Sequence, residues 1–157
     1  MAAQKLLFLC TGNYYRSRVA EAIFNHLAIL DGLDWRAESR GLRPKPEEME
    51  LSPIAVEYLM NQRIPLTLTA KVPKRLTEDD LVEASLVIAV YEAEHRPMVA
   101  KQFPLWENRV FYWQVPDIDI TDSKIALPAL DEQVRDFYEL IKDGCALGCD
   151  GSPAKEF

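Results

Sequence analysis

One short segment carries residue types that suit phosphate chemistry. An apolar run ends at Cys10, and the stretch CTGNYYRS then places Arg16 after a gap of five residues, with Ser17 directly behind it. A tight loop that turns its backbone N–H groups inward at the start of a helix binds anions. The same field stabilises a thiolate, and the planar guanidinium of Arg16 matches two oxygens of a phosphate group. The segment therefore predicts a phosphate-binding loop in which Cys10 is the nucleophile.

The residues around Cys10 and Arg16 suit such a loop. Gly12 and Asn13 can take the positive φ that a tight loop requires, and Ser17 can donate a hydrogen bond to the cysteine sulfur. Each residue alone has a more ordinary interpretation, because a lone cysteine is usually a small buried hydrophobe and a Gly–Asn pair usually marks a turn. Their combination between a strand pattern and a helix pattern favours the catalytic interpretation.

The composition limits the classes of protein to which the chain can belong. It has 157 residues, 48% of them hydrophobic, which suits a single domain over residues 1–157 with a flexible tail at 144–157. Its net charge of −7 argues against nucleic acid or an anionic membrane surface as the main partner. No stretch has the roughly 20 apolar residues of a membrane span. The three cysteines, Cys10, Cys145 and Cys149, do not make a disulfide framework, so we expect a cytoplasmic protein.

Strand patterns alternate with helix patterns along the chain. Apolar or β-branched runs predict strands at residues 5–9, 35–39, 85–91 and 109–115. Helix signals lie between and after them: apolar spacing from Ser17, a proline after Ser52, acidic residues after Thr77, and a final amphipathic stretch closed by Gly144. This order predicts an α/β fold of three layers, with a four-stranded, mainly parallel sheet and helices on both faces.

The ends of the predicted strands bring polar residues to one edge of the sheet. Cys10 follows the first strand, residues 39–41 end or follow the second, and Asp117 follows the fourth. In parallel sheets, ligands bind beyond the carboxyl ends of the strands. The sequence therefore predicts a site where these three segments meet.

The Cys-x5-Arg-Ser pattern resembles the phosphate loop of the low-molecular-weight protein tyrosine phosphatases, whose fold is shared with thioredoxin-coupled arsenate reductases. Further segments follow that family's order and spacing: AEAIF after the loop, ESRGL at a serine–glycine turn, then RLTEDDL and ASLVIAV. The stretch VPDIDI stands where the family carries its Asp-Pro-Tyr loop. The resemblance covers residues 5–138 and implies the family's α/β fold.

This resemblance implies a phosphomonoester hydrolase, and more narrowly a phosphotyrosine protein phosphatase, that needs no metal ion or organic cofactor. Cys10 would attack phosphorus to form a cysteinyl-phosphate, while Arg16 and the loop N–H groups stabilise the charge on the phosphoryl oxygens. Asp117 would protonate the leaving oxygen and then activate the hydrolytic water. The substrate would be a phosphorylated protein or a small aryl phosphate.

Two further sets of residues follow from the resemblance. The implied phosphate-binding residues are consecutive in the loop: Thr11, Gly12, Asn13, Tyr14, Tyr15, Arg16 and Ser17. The implied loop-supporting residues, which would hold the loop in a strained shape by hydrogen bonds, are Asn13, Ser17 and Ser39. The histidines His26 and His95 are expected to be surface or core residues, and the family's supporting histidine has no counterpart at 68–71.

The general acid and the pocket walls each have two interpretations. Asp119 shares the loop of Asp117 and is the alternative acid. Residues 118–119 replace the family's Pro-Tyr and so remove an aromatic ring that flanks the substrate. Tyr14 and Tyr15 could supply that wall or pack in the core, and Tyr15 stands where many members have a second loop cysteine.

Two other functions are compatible with the sequence. An arsenate reductase-like thiol-redox enzyme would use Cys145 and Cys149 as additional thiols, although such enzymes carry their resolving cysteines in the middle of the chain. A phosphate- or phosphoprotein-binding module without turnover would keep the loop while the acid loop and the substrate wall change.

Overall fold

The architecture is a parallel sheet between two layers of helices. The computed structural model describes residues 4–116 and 122–144. Within them the strands are β1 (Gln4–Cys10), β2 (Trp35–Gly41), β3 (Leu86–Ala89) and β4 (Phe111–Tyr112). The helices are α1 (Arg16–Asp31), α2 (Pro53–Asn61), α3 (Glu78–Glu83), α4 (Glu92–Gln102) and α5 (Ser123–Lys142). The strands pair in parallel in the order β2-β1-β3-β4, which confirms the predicted α/β class.

The central strand β1 is buried on both faces, which explains its unbroken apolar sequence. Leu6 and Phe8 belong to one hydrophobic core with residues of α1 and α5. Leu7 and Leu9 belong to a second core with residues of α3 and α4. Since alternate residues of a strand face opposite sides of the sheet, helices cover both of its faces. None of the helices in the described ranges is long and apolar enough to cross a membrane.

Several element boundaries differ from the sequence prediction. Of the predicted strand 109–115, only Phe111–Tyr112 pairs as β4. The side chain of Ser52 makes no capping bond to the described residues of α2, although the helix begins with proline as predicted. Thr77 does cap α3, in a reciprocal pair of hydrogen bonds with Asp80. The order of elements is therefore predictable where the exact ends are not.

The carboxyl ends of β1 and β2 meet at the edge of the sheet where the sequence places its chemistry. Cys10 is the register partner of Gly41, and α1 starts at Arg16, so residues 11–15 form a short loop above both strand ends. The loop packs closely on Gly41: a Cβ there would lie 2.9 Å from the Thr11 carbonyl oxygen and 3.0 Å from the Asn13 nitrogen. Glycine is required at this position because the loop backbone occupies the space of a side chain.

Candidate active site

Cys10 lies at the bottom of the loop, with 3% of its surface exposed. Its Sγ is 2.9 Å from the hydroxyl of Ser17, in the first turn of α1, and accepts a hydrogen bond of 3.3 Å from the Asn13 N–H. Hydrogen-bond donors and a helix N-terminus both stabilise negative charge on sulfur. The arrangement can hold a cysteine thiolate ready for nucleophilic attack.

Asn13 determines the shape of the loop. It takes the positive φ, at 52°, whereas Gly12 does not, so the sequence expectation holds for the asparagine and is wrong for the glycine. Its side-chain nitrogen donates to Ser17 Oγ at 3.0 Å and to Ser39 Oγ at 2.9 Å, and its oxygen accepts from the Lys74 N–H at 2.8 Å. The strained backbone is stabilised by these three hydrogen bonds from a buried amide.

The hydrogen bonds behind the loop have a defined direction. Both N–H hydrogens of the Asn13 amide point at the hydroxyls of Ser17 and Ser39, so each hydroxyl accepts one bond and keeps its own hydrogen to donate. Ser39 donates to Glu21 Oε1 at 2.7 Å, which leaves the Ser17 hydrogen available for Cys10 Sγ. The structure thus brings together the three residues expected to support the loop and adds a buried carboxylate behind them.

Glu21 belongs to a cluster that the sequence analysis did not identify. Thr69 also donates to Glu21 Oε1, at 2.7 Å, and accepts a bond of 3.2 Å from Arg18 Nε. Arg18 Nη2 donates to the Ala70 carbonyl oxygen. Arg18 and Thr69 therefore extend the hydrogen-bond network that runs behind the loop from Asn13 through Ser39 and Glu21. The available signal was a pair of charged residues three positions apart within an otherwise apolar helix face, which places both side chains on the same side.

Burial governs the ionisation of this rear cluster. It raises the pKa of Glu21 above its ordinary value, and hydrogen bonds from Thr69 and Ser39 offset this only in part. Burial also lowers the pKa of Arg18, against the favourable charge of Glu21. The Thr69 hydroxyl bridges Arg18 and Glu21, because it hydrogen-bonds to both side chains.

Arg16 meets a second carboxylate on the open side of the loop. The guanidinium, 2% exposed, donates from Nη1 to the Val115 carbonyl oxygen at 3.0 Å. Nη2 lies 3.1 Å from Glu94 Oε2 and 3.3 Å from Oε1. Thr11 Oγ1 donates to the same carboxylate. Glu94 comes from the first turn of α4, so its contact with the loop depends on β3 lying beside β1.

His95 fixes the orientation of the Glu94 carboxylate. Its Nδ1 accepts a hydrogen bond from the Tyr91 N–H, so the neutral ring carries its hydrogen on Nε2. That nitrogen lies 3.2 Å from both Glu94 Oε2 and Thr11 Oγ1. His95 is fully buried, which agrees with the expectation that it is either a surface or a core residue. It also contacts Thr11 of the phosphate loop, which the sequence analysis did not anticipate. His26 lies half-buried in α1 and is not among the residues that line the site.

The ionisation of Glu94 differs from that of Glu21. Burial disfavours its charged form, but the hydrogen bonds from His95 and Thr11 and the charge of Arg16 outweigh this and lower the pKa of Glu94 to about 2. The carboxylate therefore stays ionised throughout the neutral pH range. The open side of the loop holds a fixed negative charge next to the arginine.

A cavity of about 230 Å³ opens above Cys10. Tyr14 and Tyr15 both line it, and Tyr15 also belongs to the larger hydrophobic core, so the two interpretations of the tyrosines both apply. The remaining lining residues come from the loop, from the segment after β2 and from α4: Thr11, Gly12, Arg16, Arg43, Lys45, Glu48, Ser52 and Glu94. The candidate acids Asp117 and Asp119, and the cysteines Cys145 and Cys149, lie outside the described residues.

Comparisons with known proteins agree with this geometry. Residues 5–144 match the sequence profile of the family described as low molecular weight phosphotyrosine protein phosphatase. This chain belongs to that family. It is 36% identical over 106 residues to a protein-arginine-phosphatase of Bacillus subtilis (strain 168), covering 68% of this chain and 67% of that protein.

Two solved structures of phosphatases match most of this chain and nearly all of their own chains. One is a mutant of the YwlE arginine phosphatase with a phosphorylated active-site serine, at 29% identity and a TM-score of 0.76, covering 88% of this chain and 96% of that one. The other is a low molecular weight protein tyrosine phosphatase from T. tengcongensis, at 28% identity and a TM-score of 0.74, covering 90% and 99%. The resemblance noted in the sequence is confirmed, and the chain is a cysteine-based phosphatase.

Proposed function

We propose that this phosphatase acts on phosphorylated proteins and that Cys10 carries the phosphoryl group as a cysteinyl-phosphate. The supporting observation is the position of Cys10 Sγ, which meets the Asn13 N–H and the Ser17 hydroxyl at the N-terminus of α1. Both groups can donate to a sulfur anion, so the loop favours the nucleophilic form of the cysteine. The related arginine phosphatase structure carries a phosphoryl group on an active-site serine.

The reaction takes place in two transfers of the phosphoryl group. In the first, an S–P bond forms as the bond from phosphorus to the leaving atom breaks, and the leaving atom takes a proton from the general acid. In the second, water attacks phosphorus and returns a proton to the acid, while Cys10 leaves as a thiolate. Ser17 can donate its hydrogen to the departing sulfur. We assign Asp117 as the acid, with Asp119 as the alternative on the same segment.

Arg16 supplies the positive charge that phosphoryl transfer needs. Its guanidinium is buried and fixed by the Val115 carbonyl oxygen, so little conformational freedom remains to be lost when phosphate binds. The N–H groups of residues 11–16 form the rest of the oxyanion cradle. In this role, Thr11 to Ser17 surround the phosphoryl oxygens and the sulfur, and Ser39 holds Asn13 from behind.

Two classes of phosphorylated side chain have support among the residues that line the pocket. Phosphotyrosine is supported by Tyr14 and Tyr15, two aromatic residues that line the cavity. Phosphoarginine is supported by two carboxylates in the same cavity, Glu48 and Glu94, which can pair with a guanidinium. A protein-arginine-phosphatase is also among the relatives of this chain.

The decisive experiment compares wild type with Cys10→Ser on an aryl phosphate, in reductant and chelator, from about pH 5 to 8. We expect turnover in the wild type that resists the chelator and falls by about 10⁴-fold or more in the variant. Vanadate should still bind the variant, since serine leaves Arg16 and the loop N–H groups in place. Turnover retained by Cys10→Ser would contradict the assignment of the nucleophile.

A second outcome would change the function itself. If the wild type binds vanadate but hydrolyses neither aryl phosphate nor phosphopeptides, the chain is a phosphate-binding module. If the wild type does turn over, leaving-group dependence separates the two candidate acids: Asp117→Asn should slow poor leaving groups more than good ones, and the same dependence in Asp119→Asn would move the assignment there.

A further inference from the structure

Glu94 places a permanent negative charge in a pocket built to bind a phosphate dianion. Its carboxylate lines the cavity above Cys10 together with the loop. It is held by Arg16, Thr11 and His95, and only 23% of the side chain is exposed. Nothing in the proposed phosphoryl transfer requires a carboxylate at this position. We therefore consider whether Glu94 influences which substrates the pocket accepts.

The charge of Glu94 acts against phosphorylated groups in general. It already occupies Nη2 of Arg16, so a phosphoryl dianion must share the guanidinium with an anion at short range. The low exposure of both side chains limits the screening of this repulsion by solvent. The exposed cations at the mouth of the cavity, Arg43 and Lys45, are screened more effectively.

A positive charge on the leaving group offsets this repulsion. The guanidinium of a phosphoarginine carries N–H donors that can pair with Glu94 or with the half-buried Glu48, whereas the ring of phosphotyrosine carries neither charge nor donors. Both substrates present the same phosphoryl group to Cys10 and Arg16. Any difference that Glu94 makes between them must therefore arise at the leaving group.

We propose that Glu94 is a specificity-determining residue of this phosphatase, favouring phosphoryl groups carried on a cationic nitrogen, such as a phosphoguanidinium, over those carried on a neutral aryl oxygen. The inference rests on the proposed function, because it uses the same nucleophile and the same phosphate cradle. The P–N bond breaks as the S–P bond of the cysteinyl-phosphate forms, and the leaving nitrogen takes the proton of the general acid to give a free guanidinium.

The test uses two peptides of one sequence, phosphorylated on arginine in one and on tyrosine in the other. The kcat/KM ratio of phosphoarginine to phosphotyrosine is measured for the wild type, for Glu94→Gln, and for the control Glu92→Gln. We expect Glu94→Gln to lower the ratio by about tenfold or more while kcat/KM for phosphotyrosine rises. Glu92 lies in the same turn of α4 but pairs with Arg96 and Gln114, so its variant should keep the ratio within about twofold.

A charge-keeping variant separates electrostatics from packing. Glu94→Asp retains the carboxylate, and its ratio should stay within about threefold of the wild type. If Glu94→Gln does not fold, Glu94→Ser removes the charge with a smaller side chain and carries the same expectation. A fall in the ratio for Glu94→Asp as large as that for the neutral variants would contradict a role of charge.

Three results would overturn the inference. An unchanged ratio in the neutral variants would do so, and so would an equal fall in kcat/KM for both peptides, which would mean that Glu94 only orients Arg16. A wild type that hydrolyses phosphotyrosine but not phosphoarginine would also exclude it. Failure of the proposed function looks different, because the wild type would then hydrolyse neither peptide or would match Cys10→Ser on both.

Discussion

Two glutamates interact with the phosphate loop, Glu21 from behind through Ser39 and Glu94 directly, and their ionisation differs. Behind the loop, Glu21 accepts hydrogen bonds from the neutral hydroxyls of Ser39 and Thr69, and burial raises its pKa. In front of the loop, Glu94 contacts the Arg16 guanidinium directly, and its pKa falls to about 2. Glu21 is the more deeply buried of the two, and its burial outweighs its hydrogen bonds, whereas at Glu94 the hydrogen bonds from His95 and Thr11 and the charge of Arg16 outweigh burial.

The difference assigns separate tasks to the two faces of the loop. The rear face holds the loop in shape through Asn13, so a change there should affect every substrate to the same extent. The front face meets the substrate itself, so a change there should alter the ratio between substrates. Each variant below is therefore tested on one phosphoarginine and one phosphotyrosine peptide, together with the free energy of unfolding.

The largest effect is expected for Gly41→Ala, at the rear of the loop. The new Cβ would overlap the Thr11 carbonyl oxygen and the Asn13 nitrogen, which belong to backbone and cannot rotate away. We expect kcat/KM to fall by about 100-fold on both peptides, and the free energy of unfolding in urea to fall by about 2 kcal/mol. A Cβ at Gly12 meets nothing closer than 3.6 Å, so Gly12→Ala should cost less than about 1 kcal/mol of stability. Turnover of Gly41→Ala within threefold of wild type would show that the loop adapts more easily than its packing indicates.

Arg18→Met is expected to have the next largest effect. Methionine fills much of the same space but loses the bonds to the buried Thr69 hydroxyl and to the half-buried Ala70 carbonyl oxygen. The free energy of unfolding should fall by about 2 kcal/mol, and both peptides should lose about tenfold in kcat/KM. The exposed Arg36 of β2 supplies the control, because Arg36→Met should change stability by less than about 0.5 kcal/mol. A change in the ratio of kcat/KM between the two peptides for Arg18→Met would contradict the separate roles of the two faces.

Thr69→Val tests the hydroxyl that joins Arg18 to Glu21. Valine has nearly the same shape but cannot hydrogen-bond to either group, so we expect a loss of about 1 kcal/mol in the free energy of unfolding. Thr69→Ser keeps the hydroxyl and should recover most of the kcat/KM lost by the valine variant. If serine and valine behave alike, the methyl group and not the hydroxyl determines the contribution of Thr69.

The smallest effects are slopes of stability with pH, and they should have opposite signs. Glu94, with a lowered pKa, contributes stability that is present above pH 4.5 and lost as the pH falls towards about 2. Glu21, with a raised pKa, contributes stability that is present below pH 4.5 and lost as the pH rises through its folded value. The stability difference between wild type and Glu94→Gln should therefore shrink on acidification, while that for Glu21→Gln should grow. Slopes stay below about 1.4 kcal/mol per pH unit, and two slopes of equal sign would contradict the comparison.

The fold and the nucleophile were accessible from the sequence because their signals are local. The apolar run before Cys10, the spacing to Arg16 and the helix pattern after Ser17 all lie within one short stretch. Alternation of strands and helices then leaves few parallel topologies, because crossovers are right-handed. Asn13 rather than Gly12 takes the positive φ because its side chain can bond to three groups at once, which the sequence does not reveal.

Glu94, His95 and the Arg18–Glu21 cluster were not accessible in the same way. Glu94 meets Arg16 across 78 residues, and the contact depends on the start of α4 and on the place of β3 in the sheet. The family resemblance implies a supporting histidine, whereas the charged groups behind the loop are Arg18 and Glu21 of α1. Polar residues on a helix face are usually solvated, so only the burial of that face identifies their role.

The hydrogen bond from the Lys74 N–H to the Asn13 side chain makes the exchange rate of that amide hydrogen a measure of loop opening. That amide hydrogen can exchange with solvent only when the asparagine side chain releases it, and the Lys74 carbonyl oxygen is itself bonded to the Gly41 N–H. Lys74 lies on an exposed segment, far along the chain from Cys10. The exchange rate of its amide hydrogen therefore reports how often the loop leaves the conformation described above. An oxyanion bound above Cys10 should slow that exchange by the factor 1 + [L]/Kd, whether or not any turnover takes place.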